Sequence, residues 1–280
     1  MRSHAKQGGV VAPGSRGKQR RGDPSWKVPV LGLIGIVGFL ALWELLPRLD
    51  LVDRRYLPPA TEVLAAAGSN LGSGTFWSDV YDTMLAWAIG LGTAALAATV
   101  LGLVIGMSQF LRRYTNSTIE FLRPIPSVAL IPLAVLLFGI GIESALMLII
   151  YACFWQVLIQ VLYGVADVDS VAMNTAQSYG FSYIQRVRDV VIPTVLPYFM
   201  TGIRLGAAVA LILAITAGLV IGSPGLGSAI SRAQQGGAIT NMYALILATG
   251  ILGVIINLAA RYVERRVLSW HTSVRAELAA

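Results

Sequence analysis

The sequence has little charge for its length and almost no cysteine or histidine. Asp, Glu, Lys and Arg together make up 12% of the 280 residues, whereas hydrophobic residues make up 56%. Soluble globular domains carry about 25% charged residues, so this composition excludes an ordinary soluble domain. The chain is predicted to lie mainly within a membrane.

The residues that usually carry catalysis or bind metals are scarce. The one cysteine, Cys153, lies in an apolar run, and the two histidines, His4 and His271, lie near opposite ends of the chain. These positions exclude an intrachain disulfide and offer no metal-ligand spacing. No glycine-rich loop ends in Lys-Ser or Lys-Thr, the pattern that holds ATP phosphates. The sequence therefore predicts no catalytic residue, no metal site and no cofactor bound by this chain.

The basic residues are concentrated at the start of the chain. The formal net charge is +7, and Arg2, Lys6, Arg16, Lys18, Arg20, Arg21 and Lys27 all lie in its first 27 positions. A glycine-rich basic tail is typical of a flexible segment beside a membrane rather than of a nucleic-acid-binding face. We therefore predict a flexible cytoplasmic tail at residues 1–27 and expect no nucleic-acid partner.

Long apolar runs are the main structural signal. A run of about 20 apolar residues can cross the hydrocarbon core of a bilayer as a helix. The sequence predicts an all-α membrane protein with six transmembrane helices, at 28–46, 84–107, 121–140, 144–163, 197–221 and 242–260. The first run could be a cleaved signal peptide, but no small-x-small cleavage site follows it, so we predict a retained helix.

The distribution of lysine and arginine predicts the orientation, because cytoplasmic loops retain these residues. Arg186 and Arg188 lie between predicted spans on the side of the basic tail, and Arg232 lies on the other side. Both termini are therefore predicted to be cytoplasmic. The predicted segments are the tail at 1–27, a first helix with an outer segment at 28–83, a five-helix core at 84–262 with a cytoplasmic loop at 164–196, and a cytoplasmic tail at 263–280.

Two of the predicted spans carry small residues at every fourth position. The stripes are Gly90, Ala94, Ala98, Gly102 and Gly106, and Gly202, Gly206, Ala210, Ala214, Gly218 and Gly222. Small residues at this spacing let helix backbones approach closely within a membrane. Ala and Gly are also simply common in membrane helices, but two unbroken stripes favour helix packing.

A polar stretch, "NTAQSYGFSYIQRVRDVVIP" at 174–193, separates two apolar blocks. Asp169 or Ser170 can cap a first short helix, and Gly180 can end it in the left-handed conformation. Ser182 and Gln185 have the spacing of a capping box, which predicts a second short helix. The stretch is thus predicted to fold as a helix, a sharp turn and a helix.

Two prolines, Pro193 and Pro197, are predicted to separate the second short helix from the next span. The exposed surface is predicted to combine small Ala176 with the aromatic residues Tyr179, Phe181 and Tyr183. Such a surface suits docking into a groove of another protein. The alternative is an amphipathic segment that lies on the lipid surface.

The same stretch resembles the EAA loop of binding-protein-dependent ABC importer permeases. Ala176 matches the second alanine of that motif and Gly180 its glycine, while Asn174 and Thr175 replace its leading Glu and first Ala. The flanks "EFLRPIPSVALIPLAVLLFGIG" and "VVIPTVLPYFMTGIRLG" resemble the nitrate, sulfonate and taurine branch of these permeases. The resemblance covers about residues 84–270. It assigns contact with an ATPase to Asn174, Thr175, Ala176, Gly180, Phe181, Tyr183, Arg186 and Pro193.

The resemblance implies a type I importer permease in the bacterial inner membrane, with a small solute as cargo. The implied partners are a cytoplasmic ABC ATPase dimer that binds the ATP, an extracytoplasmic solute-binding protein, a second copy of this chain and membrane lipid. The branch further implies an organic anion such as a sulfonate or taurine, or nitrate, as the solute.

Polar residues and prolines within the spans are candidates for the translocation path. Arg204 could meet an anionic substrate, or it could snorkel to the membrane surface or bond free carbonyls. Gln156 and Gln160 share one helix face and could line a path or bond a neighbouring helix. Pro126 and Pro132 bend the third predicted span, either beside a gate or as a static kink.

Two other functions fit a membrane chain. A self-sufficient secondary transporter or channel would need buried coupling carboxylates or broken half-helices, and no acidic pair lies in the predicted spans. A membrane-bound enzyme would need a nucleophile-base or metal-ligand set, which the sequence lacks. A transport subunit is the function that the sequence favours.

Overall fold

The computed structural model describes residues 27–269 and the side chains of residues 30–269. Within this part of the chain all regular structure is helical, which confirms the predicted fold class. The helices are α1 (Lys27–Arg48), α2 (Ala60–Asn70), α3 (Gly74–Met107), α4 (Gln109–Leu122), α5 (Ile131–Phe138), α6 (Ile142–Ala166), α7 (Ser170–Ser178), α8 (Tyr183–Arg186), α9 (Ile192–Val220), α10 (Leu226–Gln235) and α11 (Ile239–Val267). A 3₁₀ turn covers Ser127–Leu130 and a π-turn covers Val187–Val191. The predicted N-terminal tail and most of the C-terminal tail lie outside the described residues.

Five helical segments of the described chain are long and apolar enough to cross a membrane. They are Val30–Arg48, Gly74–Met107, Ile142–Ala166, Tyr183–Val220 and Ile239–Val267. The third predicted span, 121–140, is not a single helix, because α4 and the Ser127–Phe138 segment meet at an angle of 80°. Pro124 and Pro126 lack the backbone donors that a continuous helix would need there. If the bent pair counts as one span, the number is six, as predicted.

The core of the bundle is formed by α3, α6 and α9, and the small-residue stripes lie in its contacts. A Cβ atom on Gly90, Gly102 or Gly106 of α3 would lie closer than 3.0 Å to an α6 side chain. On α9, a Cβ on Gly202 would lie 3.1 Å from the Val157 backbone of α6. The packing interpretation is confirmed, and the contacts lie within one chain. Gly222 is the exception, with a φ of 83° in a turn.

The two ends of the bundle are closed by different short helices. At one end, called the α7 end, Tyr183 of α8 lies 4.0 Å from the Met107 sulfur at the end of α3. At the other, called the α10 end, the Thr83 hydroxyl accepts a 2.9 Å hydrogen bond from the Leu226 amide of α10. Arg232 of α10 forms an ion pair with Asp79 of α3 at 3.2 Å. Arg186 and Arg232 therefore lie at opposite ends of the described bundle, and the side of the membrane that each one faces stays a prediction.

The first helix packs little against the rest of the described chain. Only 6% of its span is buried, so most of α1 faces lipid or another chain. At its end, Glu44 accepts hydrogen bonds from the Thr61 amide at 3.0 Å and from the Thr61 hydroxyl at 2.9 Å. The indole of Trp43 donates to the Pro58 carbonyl at 3.1 Å. These polar contacts attach α1 to the segment that contains α2.

Candidate functional site

The first short helix at the α7 end is fixed by a cap at each terminus. The Asp169 carboxylate accepts a 2.8 Å hydrogen bond from the Val171 amide, which identifies Asp169 as the N-cap. Gly180 has a φ of 78°. Its amide donates to the Gln177 carbonyl and the next amide, of Phe181, donates to Ala176, each at 3.0 Å. This pair of bonds is a Schellman motif, so the predicted left-handed stop at Gly180 is confirmed.

The second short helix begins with the predicted capping box. The Ser182 amide donates to the Gln185 side chain at 2.8 Å, and the Gln185 amide donates to the Ser182 hydroxyl at 3.4 Å. Arg186 then donates to the Gln177 side chain of α7 at 3.1 Å. The helix-turn-helix is therefore held by its own hydrogen bonds. This local structure supports a shaped docking element more than a loose loop.

The predicted break at Pro193 and Pro197 is wrong, because α8 continues through the π-turn into α9. In the π-turn the Ile192 amide donates to the Val187 carbonyl, five residues earlier. This wider register is how the continuous helix accommodates Pro193, which has no backbone N–H to donate. The Thr201 hydroxyl donates to the Pro197 carbonyl at 3.1 Å. As a result the short helix at the surface and the long span form one body.

The exposed surface of α7 and α8 differs from the prediction at one residue. Tyr179 is 81% exposed, and Phe181 and Tyr183 are also exposed, as predicted. Ala176 is only 8% exposed, so the prediction that it contributes to the surface is wrong. It lies on the inner side of α7, and its carbonyl is used in the Schellman motif. We call the exposed residues Val171, Asn174, Thr175, Tyr179, Phe181, Tyr183 and Ile184 the coupling surface.

A cavity of about 740 Å³, lined by both polar and apolar side chains, lies between α3, α4 and α6. Its α4 wall consists of residues on one helix face, since they recur at spacings of three and four. These are Arg112, Thr115, Asn116, Ile119, Glu120 and Arg123. The α6 wall consists of Ile159, Leu162, Tyr163 and Ala166. Sequence reasoning missed this cavity, although the polar residues at helical spacing before Pro124 were a readable signal.

The candidate path residues are placed in different environments. Gln156 shares the α6 face of the cavity residue Tyr163, seven positions away. Gln160 packs its Cβ beside Gly202 of α9. Pro126 precedes the 3₁₀ turn and Pro132 lies in the first turn of α5, so both belong to the bent segment. Neither glutamine lines the cavity, and the two prolines belong to the bent segment that follows α4.

Arg204 has a partner that the sequence did not indicate. Its guanidinium forms an ion pair with the Glu264 carboxylate of α11 at 3.1 Å. Glu264 lies beyond the predicted end of the last span, because α11 continues to Val267. Ionisable residues within membrane spans usually pair with one another. The pair links α9 to α11 and gives Arg204 a structural role.

Removal of one member of this pair should destabilise the protein. Glu264→Gln leaves Arg204 without its counter-charge. We expect the free energy of unfolding to fall by about 1–2 kcal/mol. This is less than for a buried pair, because Arg204 is partly exposed. The measurement is the thermal unfolding of the detergent-purified chain. Glu62→Gln, at an exposed position on α2, is the control. The charge reversal Arg204→Glu with Glu264→Arg should recover most of the loss; no recovery would contradict the pairing.

The chain matches the model of a family described as the binding-protein-dependent transport system inner membrane component, over residues 90–269. The chain belongs to this family. Its members are membrane permeases of ABC importers, so this chain is a multi-pass inner-membrane transport subunit and ATP hydrolysis belongs to a separate chain. The predicted family, function and location are confirmed.

Several relatives resemble the permease over most of its length. The taurine transport system permease protein TauC of Escherichia coli K12 is 30% identical, over 89% of this chain and 94% of the relative. A putative aliphatic sulfonates transport permease protein, SsuC of Bacillus subtilis, is 26% identical over 86% and 88%. The nitrate import permease protein NrtB of Leptolyngbya laminosa is 24% identical over 72% of each chain.

The fold of the permease also matches solved transporter structures. An inward-facing structure of the MetNI methionine ABC transporter superimposes with a TM-score of 0.60 at 18% identity, over 69% of this chain and 96% of that chain. A crystal structure of an amino acid ABC transporter with histidines gives a TM-score of 0.57 at 18% identity, over 69% and 94%. At this identity the likeness concerns the fold, which is that of type I importer permeases.

Proposed function

We propose that two copies of this permease form the translocation path for a small oxyanion, such as a sulfonate, taurine or nitrate. The solute class is supported by the names of the relatives, which include taurine, sulfonate and nitrate permeases. The coupling role is supported by the capped α7–α8 element, whose second helix is continuous with the span α9. That continuity is the observation on which the proposed mechanism depends.

The proposed partners occupy opposite ends of the bundle. An ATPase dimer docks on the coupling surface at the cytoplasmic α7 end and holds the ATP, so this chain binds no cofactor. A solute-binding protein delivers its cargo at the outer α10 end. The segment 164–196 is the coupling loop of the five-helix core 84–262, and both termini are cytoplasmic. Reagents that cannot cross the membrane should then label Arg232→Cys but not Arg188→Cys in intact cells; labelling of both would contradict this orientation.

The contacts within the chain support a route by which movement at the surface would reach the path. The π-turn joins α8 to α9 as one continuous helical segment, so we expect displacement of the coupling surface to move α9. Gly164 and Gly202 bring the backbones of α6 and α9 into contact, with a hypothetical Cβ on Gly164 only 2.9 Å from Val195. Closely packed helices shift as bodies rather than deform. Tilting of α9 therefore changes its position against α6 and against the face that carries Gln156 and Gln160.

Reconstitution tests the proposed function. The permease, its ATPase and its solute-binding protein are placed in proteoliposomes, and uptake of labelled taurine, an alkanesulfonate and nitrate is measured with and without ATP. We expect ATP-dependent uptake of at least one of these anions, and none with an ATPase that cannot hydrolyse ATP. Native mass spectrometry should show two permease chains in each assembly. Uptake without ATP, or one permease chain per assembly, would contradict the proposal.

A further inference from the structure

We infer that the cavity between α4 and α6 is an anion-binding inner vestibule of the path, in which Arg112 and Arg123 attract the oxyanion group of the solute. The inference deepens the proposed function, because it names the residues that would select the solute by charge. It rests on the proposed function only for the identity of the solute. The charge selectivity of the cavity is a separate physical property and can be measured without transport.

The two arginines have no anionic partner within the described part of the chain. No ion pair or side-chain hydrogen bond involves Arg112 or Arg123 there, whereas Arg204 and Arg232 both have carboxylate partners. The one carboxylate in the cavity, Glu120, accepts a 2.9 Å hydrogen bond from Asn116 instead. The lining of the described cavity therefore has an excess of positive charge. An arginine fork without a protein partner is suited to bind an oxyanion.

Arg112 and Arg123 are exposed within the described chain, and their depth along the bundle makes the charges costly unless water or a ligand contacts them. The end of α4 is attached to α6, because the Tyr151 hydroxyl donates to the Leu122 carbonyl at 2.6 Å. Tyr151 lies well inside the span Ile142–Ala166, whose last residue, Ala166, also lines the cavity. Thus α4 extends from the α7 end into the depth of the bundle. Charged side chains at such depth usually face a water-filled cavity and mark a solute pathway.

The spacing of the arginines suits passage more than tight binding. Arg112 and Arg123 lie eleven residues apart on one face, or about 16 Å along the axis at 1.5 Å per residue. A small anion can contact one guanidinium at a time, so it would pass from Arg123, beside the break at Pro124, to Arg112 at the α7 end. Several weak sites allow both entry and exit of an ion. The apolar side chains of Ile119 and Ile159 between them limit retention.

Charge-selective labelling tests this inference. Thr115→Cys places a thiol in the cavity, in a background where Cys153→Ala removes the buried native thiol. The thiol is modified with one of two methanethiosulfonates, the anionic sulfonatoethyl reagent or the cationic trimethylammonioethyl reagent. Each rate is divided by the rate at which the same reagent modifies free 2-mercaptoethanol. We expect the anionic reagent to be favoured about tenfold, because a cleft lined by one charge sign concentrates counter-ions. Arg112→Gln with Arg123→Gln should reduce this ratio to one or below, since Glu120 remains.

Matched variants separate charge from folding. Arg113→Gln removes an arginine on another face of α4, beside Phe110 and outside the cavity, and should leave the ratio within twofold of the parent. Arg112→Lys with Arg123→Lys keeps the charge and should preserve the preference. A ratio of labelling rates near one in the parent would overturn the inference. So would a loss of anion preference in Arg113→Gln equal to that in the variant with both cavity arginines replaced. This holds whatever the uptake assay shows, so the failure of the vestibule and the failure of the proposed function remain distinguishable.

Competition identifies the source of the anion. Free nitrate or taurine should slow labelling at Thr115→Cys by the anionic reagent in vesicles of phosphatidylcholine alone. Addition of phosphatidylglycerol should have little further effect. If phosphatidylglycerol protects the thiol and the free anions do not, the cavity binds a lipid headgroup, and its role as a solute vestibule is contradicted.

Discussion

Gly180→Val should reduce ATP-dependent solute uptake by more than tenfold while the permease still inserts into the membrane. Gly180 has a φ of 78°, a left-handed conformation that a β-branched residue adopts only with strain of a kcal/mol or more. Nothing lies within 4 Å of the position that a Cβ would occupy, so the defect comes from the backbone alone. The strained turn would misplace α7 relative to α8. Uptake in reconstituted vesicles and ATP hydrolysis stimulated by the loaded binding protein are the measurements.

Gly180→Asn is the matched control for this backbone effect. Asparagine tolerates the left-handed conformation better than other residues with a side chain, so this variant should retain most of the uptake. An equal loss of uptake in both variants would show that the side chain at the surface causes the defect, and not the strained turn. Parental uptake by Gly180→Val would contradict the coupling role of the α7–α8 element and favour a segment that lies on lipid.

Gly227→Ala should cause the largest loss of stability of any single methyl addition proposed for this chain. A Cβ on Gly227 would clash with the Ile215 carbonyl of α9 and lie 2.9 Å from the Gly218 Cα. Backbone atoms cannot move aside as a flexible side chain can, so α10 and α9 must separate. We expect the free energy of unfolding to fall by about 3 kcal/mol or more. The measurement is thermal unfolding in detergent, together with the yield of folded protein.

The control is Gly92→Ala, the same substitution on α3. Nothing lies within 4 Å of a Cβ built at Gly92, so the added methyl group meets no neighbour. Alanine also favours the helix by about 1 kcal/mol over glycine, so stability should stay equal or rise slightly. If Gly227→Ala unfolds at the same temperature as Gly92→Ala, the close approach of α9 and α10 is not required for the fold.

The burial of Ala176 changes how one coupling variant should be interpreted. Ala176→Asp would place a carboxylate at a position that is 8% exposed within this chain, so it would damage the helix-turn-helix itself. It is therefore a poor probe of contact with the ATPase. Tyr179, which is 81% exposed, is the better position, because its side chain can be removed without loss of packing within the described chain.

Local signals determined the parts of the α7–α8 element that were predicted correctly. The Asp169 cap, the Gly180 turn and the Ser182 capping box each depend on residues within a few positions of one another. Helix termini have orphan backbone groups that only nearby side chains or a left-handed residue can satisfy, so the sequence reveals them. The long spans were predicted for a related reason, since composition alone decides whether a segment can cross a bilayer.

The small-residue stripes were read correctly as packing surfaces, but their partners were not predictable. Gly90 meets Ile149 of α6, whereas Gly218 meets Gly227 of α10, a helix absent from the sequence prediction. A stripe of small residues shows that a neighbouring element approaches closely, because no large side chain is present to prevent it. Which helix approaches depends on the crossing angles of the whole bundle.

Some features were decided only by the tertiary structure. They are contacts between residues far apart in the chain, or they are choices between similar backbone conformations. Arg204 pairs with Glu264 across 60 positions. The π-turn absorbs Pro193 and so joins α8 to α9, where the sequence predicted a break. The cavity lies where α4, which ends at the bend near Pro124, runs beside α6, a placement that joins residues 112–123 to residues 159–166. The sequence by itself determined the five long spans and the helix caps, which follow from composition and short-range backbone chemistry, and the family, which follows from a motif at fixed spacing. The ion pair, the continuous helix from α8 to α9 and the arginine-lined cavity depend on how the helices meet.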